Sequence, residues 1–240
     1  MAHLHETQLS SELLYDGKII RVERDTVQLE DGSEATREVV RHPGGVCVLA
    51  LTDQDEALIV RQFRYPYREV TVEIPAGKLE YGENPETCGK RELLEECGCT
   101  ADSFTYLGRL YPTPAYNTEI IRFYLATGLH FGQQALDEQE FLDVERIPFK
   151  ELLETVLRDE IPDAKTQTAI LKYAAMRAKK YGTAHRPFLV RIDGRERYAS
   201  CAGAAAAASS CASTSSSARC FWYASRMLSS IKRLLSGRMG

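Results

Sequence analysis

Along the first 186 residues, short apolar runs alternate with polar turn signals. Segments near 18–29 and 34–41 read as strands joined by a turn at Asp31-Gly32. Gly44-Gly45 precedes the unbroken apolar run Val46–Leu51, and a turn over Asp53–Asp55 leads into a strand over Ala57–Phe63. A short strand over Glu69–Ile74 is closed by Pro75. The clearest helix runs from Asn84 to Cys97: Asn84 supplies a cap, Pro85 suits the first turn, and Gly98 suits the C-terminal end. Strands are predicted near 104–111, 119–129 and 141–147, then helices over about 149–159 and 163–180. Strands interleaved with few helices predict an α/β fold, a mixed sheet packed between helices, preceded by an N-terminal antiparallel strand region.

From Cys201 the pattern dissolves into CAGAAAAASSCASTSSSA, a stretch with too little to bury for a core of its own. Beyond it, Phe221, Ala224, Leu228, Ile231 and Leu235 recur at helical spacing, and Arg219, Arg226 and Arg233 fall mostly on the other side. Lys232 and Trp222 interrupt that pattern. A basic amphipathic helix of this kind suits an anionic membrane surface, while an incidental extension is the plainer expectation. Three regions are therefore expected: N-terminal strands over 1–43, a main domain over 44–182, and a coreless linker and basic tail over 183–240.

A chain of 240 residues suits one well-buried domain. No apolar run is long enough to span a bilayer, and the opening MAHLHETQLSSE lacks an apolar signal core, so a cytoplasmic protein is expected. Seven cysteines without disulfide spacing are expected as reduced thiols. Residues 1–185 carry 21 Lys/Arg against 32 Asp/Glu, whereas residues 186–240 carry nine against two. So acidic a body argues against nucleic acid as a partner and suits carboxylates gathered around metal ions.

Glu92, Glu95 and Glu96 are related by three- and four-residue steps, which places them on one helical stripe. Crowded carboxylates repel, and a hard oxygen-seeking cation removes that penalty; a solvated acidic face is the bland alternative. The wider pattern decides between them. Gly77, Glu83, Arg91, Glu92, Glu95, Glu96 and Gly98 occupy seven fixed positions across 22 residues, and this spacing resembles the signature box of the Nudix hydrolases. Cys99 departs from it, standing where the box has a larger aliphatic residue. The resemblance implies a Nudix-type α/β/α sandwich and hydrolysis of a pyrophosphate bond with Mg²⁺, or Mn²⁺ in its place. It implies Glu92, Glu95, Glu96 and the Ala76 carbonyl as metal ligands, Glu83 as support, and Arg91 as the residue that orients a glutamate.

Arg61-Gln-Phe-Arg64-Tyr-Pro66, Glu73-Ile-Pro-Ala76-Gly77, the loop Leu110-Tyr-Pro112-Thr-Pro114-Ala-Tyr-Asn and Asp163-Ala-Lys165-Thr166 resemble segments of the ADP-ribose pyrophosphatases, a likeness covering about residues 10–182. It implies that Arg64 contacts a phosphate or the terminal ribose, that Glu73 lies near metal or ribose, and that Pro114 marks the substrate loop. Asp137-Glu138-Gln-Glu140 resembles a mobile loop supplying one further catalytic glutamate, with Glu140 preferred narrowly to Glu138. Tyr111 and Tyr116 are candidates for stacking on adenine, with ordinary packing as the equal alternative. The subfamily resemblance implies a homodimer, in which Arg37 or Arg41 reaches the partner's site. The expected reaction converts ADP-ribose and water into AMP and ribose 5-phosphate. Another nucleoside diphosphate sugar, or a non-catalytic module sensing ADP-ribose, are the alternatives.

Overall fold

The computed structural model describes residues 4–136, 138, 140–180, 188–192 and 195–199, in two compact units divided after Arg177. In the first unit, β1 (Thr7–Asp16), β2 (Arg21–Gln28) and β3 (Glu34–Arg41) form an antiparallel sheet in that order. The β2–β3 turn closes as its sequence predicts: Asp31 accepts bonds from the Ser33 amide and hydroxyl. Strand β1 carries no sequence signal, because LSSELLYD does not alternate. It is exposed along its whole length and shifts register twice against β2.

The larger sheet comprises β4 (Gly45–Leu51), β5 (Glu56–Arg64), β6 (Glu69–Glu73), β7 (Ala76–Lys78), β8 (Cys99–Leu110), β9 (Ile121–Phe131) and β10 (Leu142–Pro148). Its main path is β10-β5-β4-β9-β8, with β6 beside β5 and β7 beside β4. The central pair β4–β9 is parallel, from Gly45 opposite Ile121 to Leu51 opposite Thr127, and the other pairings are antiparallel. Helix α1 (Pro85–Cys97) follows β7; α2 (Phe149–Leu157) and α3 (Ala164–Lys180) follow β10.

Strand β4 is buried at every residue, which explains its unbroken apolar run: both faces of a central strand are covered. Its side chains alternate between two cores. Cys47, Leu49 and Leu51 pack with Phe149 and Leu152 of α2 and Ala169 and Ile170 of α3. Val46, Val48 and Ala50 face the other way, towards Cys88 and Leu93 of α1. Helices thus cover both faces of a mixed sheet, the expected α/β/α sandwich. Cys99, the departure from the sequence box, fits here as a fully buried small side chain against the α1 core.

Helix α1 is built from its ends. The Asn84 side chain accepts from the amides of Glu86 and Thr87, and Gly98 at φ 60° returns its N–H to the carbonyls of Leu93 and Leu94. Gly89 in its middle lets the helix approach β8, since a Cβ there would sit 3.1 Å from the Phe104 ring.

In the second unit, β11 (Phe188–Ile192) pairs antiparallel with β12 (Arg195–Ala199). Both strands lie within the 183–240 region expected from sequence as linker and tail. The Ala/Ser-rich stretch and the amphipathic pattern over 221–235 lie outside the described residues. Among the described residues, no helix is long and apolar enough to cross a membrane.

Candidate active site

Three-residue strand β7 is the floor against which α1 sets its carboxylates. Glu96, 3% exposed, accepts a 2.9 Å bond from the Ala76 amide. One residue on, the Glu92 carboxylate fills the space a Cβ on Gly77 would need, so glycine is required there by close approach. Burial, reinforced by Glu92 and Glu140, pushes Glu96 up to about 8 despite the Ala76 bond. Glu92 is pushed up to about 7, by burial first and then by the charges of Glu95 and Glu140, against the pull of Arg91.

Arg91 ties the stripe together. It donates to Glu83 at 3.0 and 3.2 Å, to Glu95 at 2.7 Å and to the Lys78 carbonyl at 3.3 Å, and its Nη1 lies 2.9 Å from Glu92. The guanidinium bond holds Glu83 down at about 2. The three stripe glutamates are therefore not equivalent. Glu92 and Glu96 press onto β7, while Glu95, a third exposed, rests on Arg91.

These residues fit a divalent cation. Their donors are oxygens, and two neighbouring carboxylates of raised proton affinity form the charge-dense environment that a hard cation relieves. Among the described residues, no three side chains already form a closed set of metal ligands; Arg91 holds Glu83 and Glu95.

A second cluster lies past the end of β5. Arg64 grips Glu73 through two bonds, and Lys165 at the start of α3 donates to both Glu73 and Asp163. Thr71 adds its hydroxyl to Glu73. Burial alone would raise Glu73, yet the bonds from Arg64 and the charge of Lys165 prevail and bring it down to about 2. The Thr166 hydroxyl accepts from the Ile74 amide, fixing α3 against the end of β6. A cleft of about 220 Å³ opens between Arg64, Lys165, Ala76, Gly77 and Lys78 on one side and His42, Glu119 and Ile121 on the other.

Of the residues singled out in the sequence, Glu92, Glu95, Glu96 and Arg91 meet at β7, with Ala76 beneath Glu96. Arg64 lines the cleft, with Glu73 buried behind it. Glu140 lies close enough for its charge to act on both Glu92 and Glu96, whereas Glu138 is exposed. Pro114 is exposed on a loop clipped to β3 by the Val40 amide bond to Tyr116. The structure does not bring Arg37 to this chain's cleft: its guanidinium pairs with Glu6. Arg41 likewise pairs with Glu23 and Asp25. Tyr111 and Tyr116 are both about half-exposed, Tyr111 beneath the Arg109 guanidinium. Lys165, His42 and Glu119 are among the cleft residues to which the sequence assigns no role. Only Lys165 carried a signal, inside Asp163-Ala-Lys165-Thr166.

Comparison with known proteins places this geometry in context. Residues 41–168 match the NUDIX domain, and residues 6–40 match the nucleoside diphosphate sugar hydrolase N-terminal domain. The chain is 41% identical over 172 residues to an ADP-ribose pyrophosphatase of Bacillus subtilis, across 71% of this chain and 93% of the relative. It is 36% identical over 178 residues to a methanol dehydrogenase activator of Bacillus methanolicus, across 73% and 96%. The crystal structure of an ADP compounds hydrolase superposes with a TM-score of 0.66 at 20% identity, covering 76% of this chain and 98% of that one, a likeness of fold.

Proposed function

The chain belongs to the Nudix family and is a hydrolase of that family, and on that premise we propose that it cleaves ADP-ribose into AMP and ribose 5-phosphate. The observation that carries this reading is the convergence of Glu92 and Glu96 on β7, the strand that also walls the cleft beside Arg64. The name of the Bacillus subtilis relative, alike over nearly its whole length, points to the substrate.

Glu92, Glu95, Glu96 and the Ala76 carbonyl would hold Mg²⁺, or Mn²⁺ in its place. When bound, the cation neutralises charge building on the pyrophosphate oxygens. Arg91 keeps Glu95 turned towards the cluster, and the Ala76 amide holds Glu96 in place. Glu140 takes the proton of the attacking water; it is preferred to Glu138 because its charge reaches Glu92 and Glu96. Arg64 binds a phosphate or the terminal ribose, its fork fixed by Glu73. Pro114 shapes the substrate loop.

We further propose a cytoplasmic homodimer, in which 1–43 forms the N-terminal strand region, 44–182 the catalytic domain and 183–240 the tail. Arg37 would act across that dimer, on the partner's substrate. Another nucleoside diphosphate sugar is the second reading, favoured by the match over 6–40. A purely sensing module is disfavoured, since binding alone does not call for a crowded carboxylate site. Turnover of ADP-ribose with Mg²⁺ is the test: equal amounts of AMP and ribose 5-phosphate are expected. Glu96→Gln should fold yet lose at least about a hundredfold in kcat. A Glu96→Gln enzyme with near wild-type turnover at saturating Mg²⁺ would overturn the reading of Glu96.

A further inference from the structure

The first turn of α3 grips two successive residues at the end of β6. Asp163 caps the helix: its Oδ2 accepts from the Thr166 amide at 2.9 Å, and its Oδ1 accepts from Lys165 at 2.9 Å. Lys165 also donates to Oε2 of Glu73. Next in the helix, the Thr166 hydroxyl accepts from the Ile74 amide at 2.9 Å. Glu73 and Ile74 are thus both held by a single helical turn, immediately before Pro75 and Ala76.

This grip is buried. Glu73, Ile74 and Thr166 are almost inaccessible, and the side chains of Lys165 and Asp163 are 11% and 18% exposed. Both oxygens of Glu73 are doubly held. Oε1 accepts from Arg64 Nε and the Thr71 hydroxyl, and Oε2 accepts from Arg64 Nη2 and Lys165. At the other end of the network, Arg64 is the last residue of β5, and its side chain is 39% exposed. A guanidinium on so long a stem takes its orientation from the acceptor it grips. Two of its five N–H groups are spent on Glu73, and they fix the plane in which the others point.

We propose that Lys165, seated by Asp163, is a positioning residue for Arg64: the first turn of α3 locks Glu73, Glu73 locks the guanidinium fork, and the network so sets affinity for substrate. This rests on the proposed role of Arg64 in contacting a phosphate or the terminal ribose. A buried ion network is a poor device for stability alone, because well-packed apolar residues serve that purpose as well or better. Apolar residues cannot, however, hold a guanidinium in one plane at the edge of a cleft. The network does so, with two cations set against two anions and only Arg64 substantially exposed.

The test is a double-mutant cycle on the full chain, with ADP-ribose and Mg²⁺, using Lys165→Met, Arg64→Ala and the pair together. Lys165→Met should raise KM by roughly tenfold and move kcat far less. Lys165→Arg, which keeps a charged donor, should recover part of that loss. In the Arg64→Ala background the same Lys165→Met change should cost at most about twofold, because its effect passes through Arg64. Losses that multiply in the double variant would show that Lys165 acts independently of Arg64 and would overturn the proposal. So would a Lys165→Met enzyme with wild-type KM, or one whose lost activity merely follows the fraction unfolded in urea. Asp163→Asn keeps the helix cap and removes the charge that seats Lys165, so it repeats the cycle if Lys165→Met does not fold. It should raise KM by about threefold, and only when Arg64 is present. Failure of the wild type to hydrolyse ADP-ribose would instead strike the functional reading, and the cycle would then be read on GDP-mannose.

Discussion

Arg64 spans both oxygens of Glu73, with Nε at 2.7 Å from Oε1 and Nη2 at 2.6 Å from Oε2. One end of that pair is a carboxylate only 2% exposed, and the other is a guanidinium reaching the cleft. The pair thus joins a buried charge to a surface that substrate can touch. Lys165 holds the same carboxylate from α3, so the last helix fastens the arrangement.

The pair makes stability depend on acid. Glu73 is held at about 2 against an ordinary 4.5, so its contribution is present in full above about 4.5 and is lost as pH falls towards 2. The size is on the order of 3 kcal/mol. Urea unfolding of the wild type should show stability dropping across that window. Glu73→Gln, less stable at neutral pH, should show a flatter curve there. Parallel curves for the two proteins would show that Glu73 is not the group responsible.

Gly77→Ala should cripple the enzyme while sparing the fold. A Cβ at this position meets the Glu92 carboxylate, which must swing away from β7. Turnover should fall by about a hundredfold or more, with unfolding stability changed by about 1–2 kcal/mol at most. Titrating activity with Mg²⁺ checks the cause: the requirement should rise if Glu92 has been displaced. Wild-type turnover in this variant would mean that Glu92 does not need its place beside β7.

Much of this was legible in the sequence, for local reasons. The apolar run Val46–Leu51 and the capped helix from Asn84 to Gly98 carry their own signals, and the spacing from Gly77 to Gly98 carries the site. Other features depend on contacts far apart in the chain. Strand β1 has no alternation to reveal it, because it buries nothing in this chain. Lys165 acquires its place only when α3 folds back 92 residues onto Glu73. His42 and Glu119 carry no motif, and meet because the loop before β9 zips onto β3. The unequal burial of Glu92, Glu95 and Glu96 is also tertiary, since helical spacing alone treats them as one stripe.

Gly98→Ala tests how the helix end supports the segment leading to Glu140. At φ 60° an alanine is strained, and its Cβ would lie 2.7 Å from the Gln134 amide nitrogen. That segment is fastened to the helix end, with Ala135 donating to the Glu95 carbonyl and the Gln134 side chain to that of Glu96. A loss of roughly 1–3 kcal/mol in urea unfolding is expected, with a drop in kcat beyond what stability explains. Stability lost without any change in kcat would separate this segment from catalysis.

A chain ending near Lys180 should keep full turnover, because every proposed catalytic and substrate group precedes that residue. Co-sedimentation with anionic vesicles, run on this form and on the full chain, tests the basic tail as a membrane-surface element. Activity lost on truncation would make the tail part of the catalytic unit. Equal, negligible sedimentation of both forms would remove the membrane role.

The most direct test is a side-by-side measurement of kcat/KM with Mg²⁺ for ADP-ribose, ADP-glucose, GDP-mannose and NADH, with products identified. The metal-binding carboxylates treat every diphosphate alike, so preference must arise in the cleft. ADP-ribose should give the highest value, releasing AMP and ribose 5-phosphate in equal amounts. A higher value for GDP-mannose would contradict the assigned substrate, and no turnover of any of the four would contradict the proposed reaction.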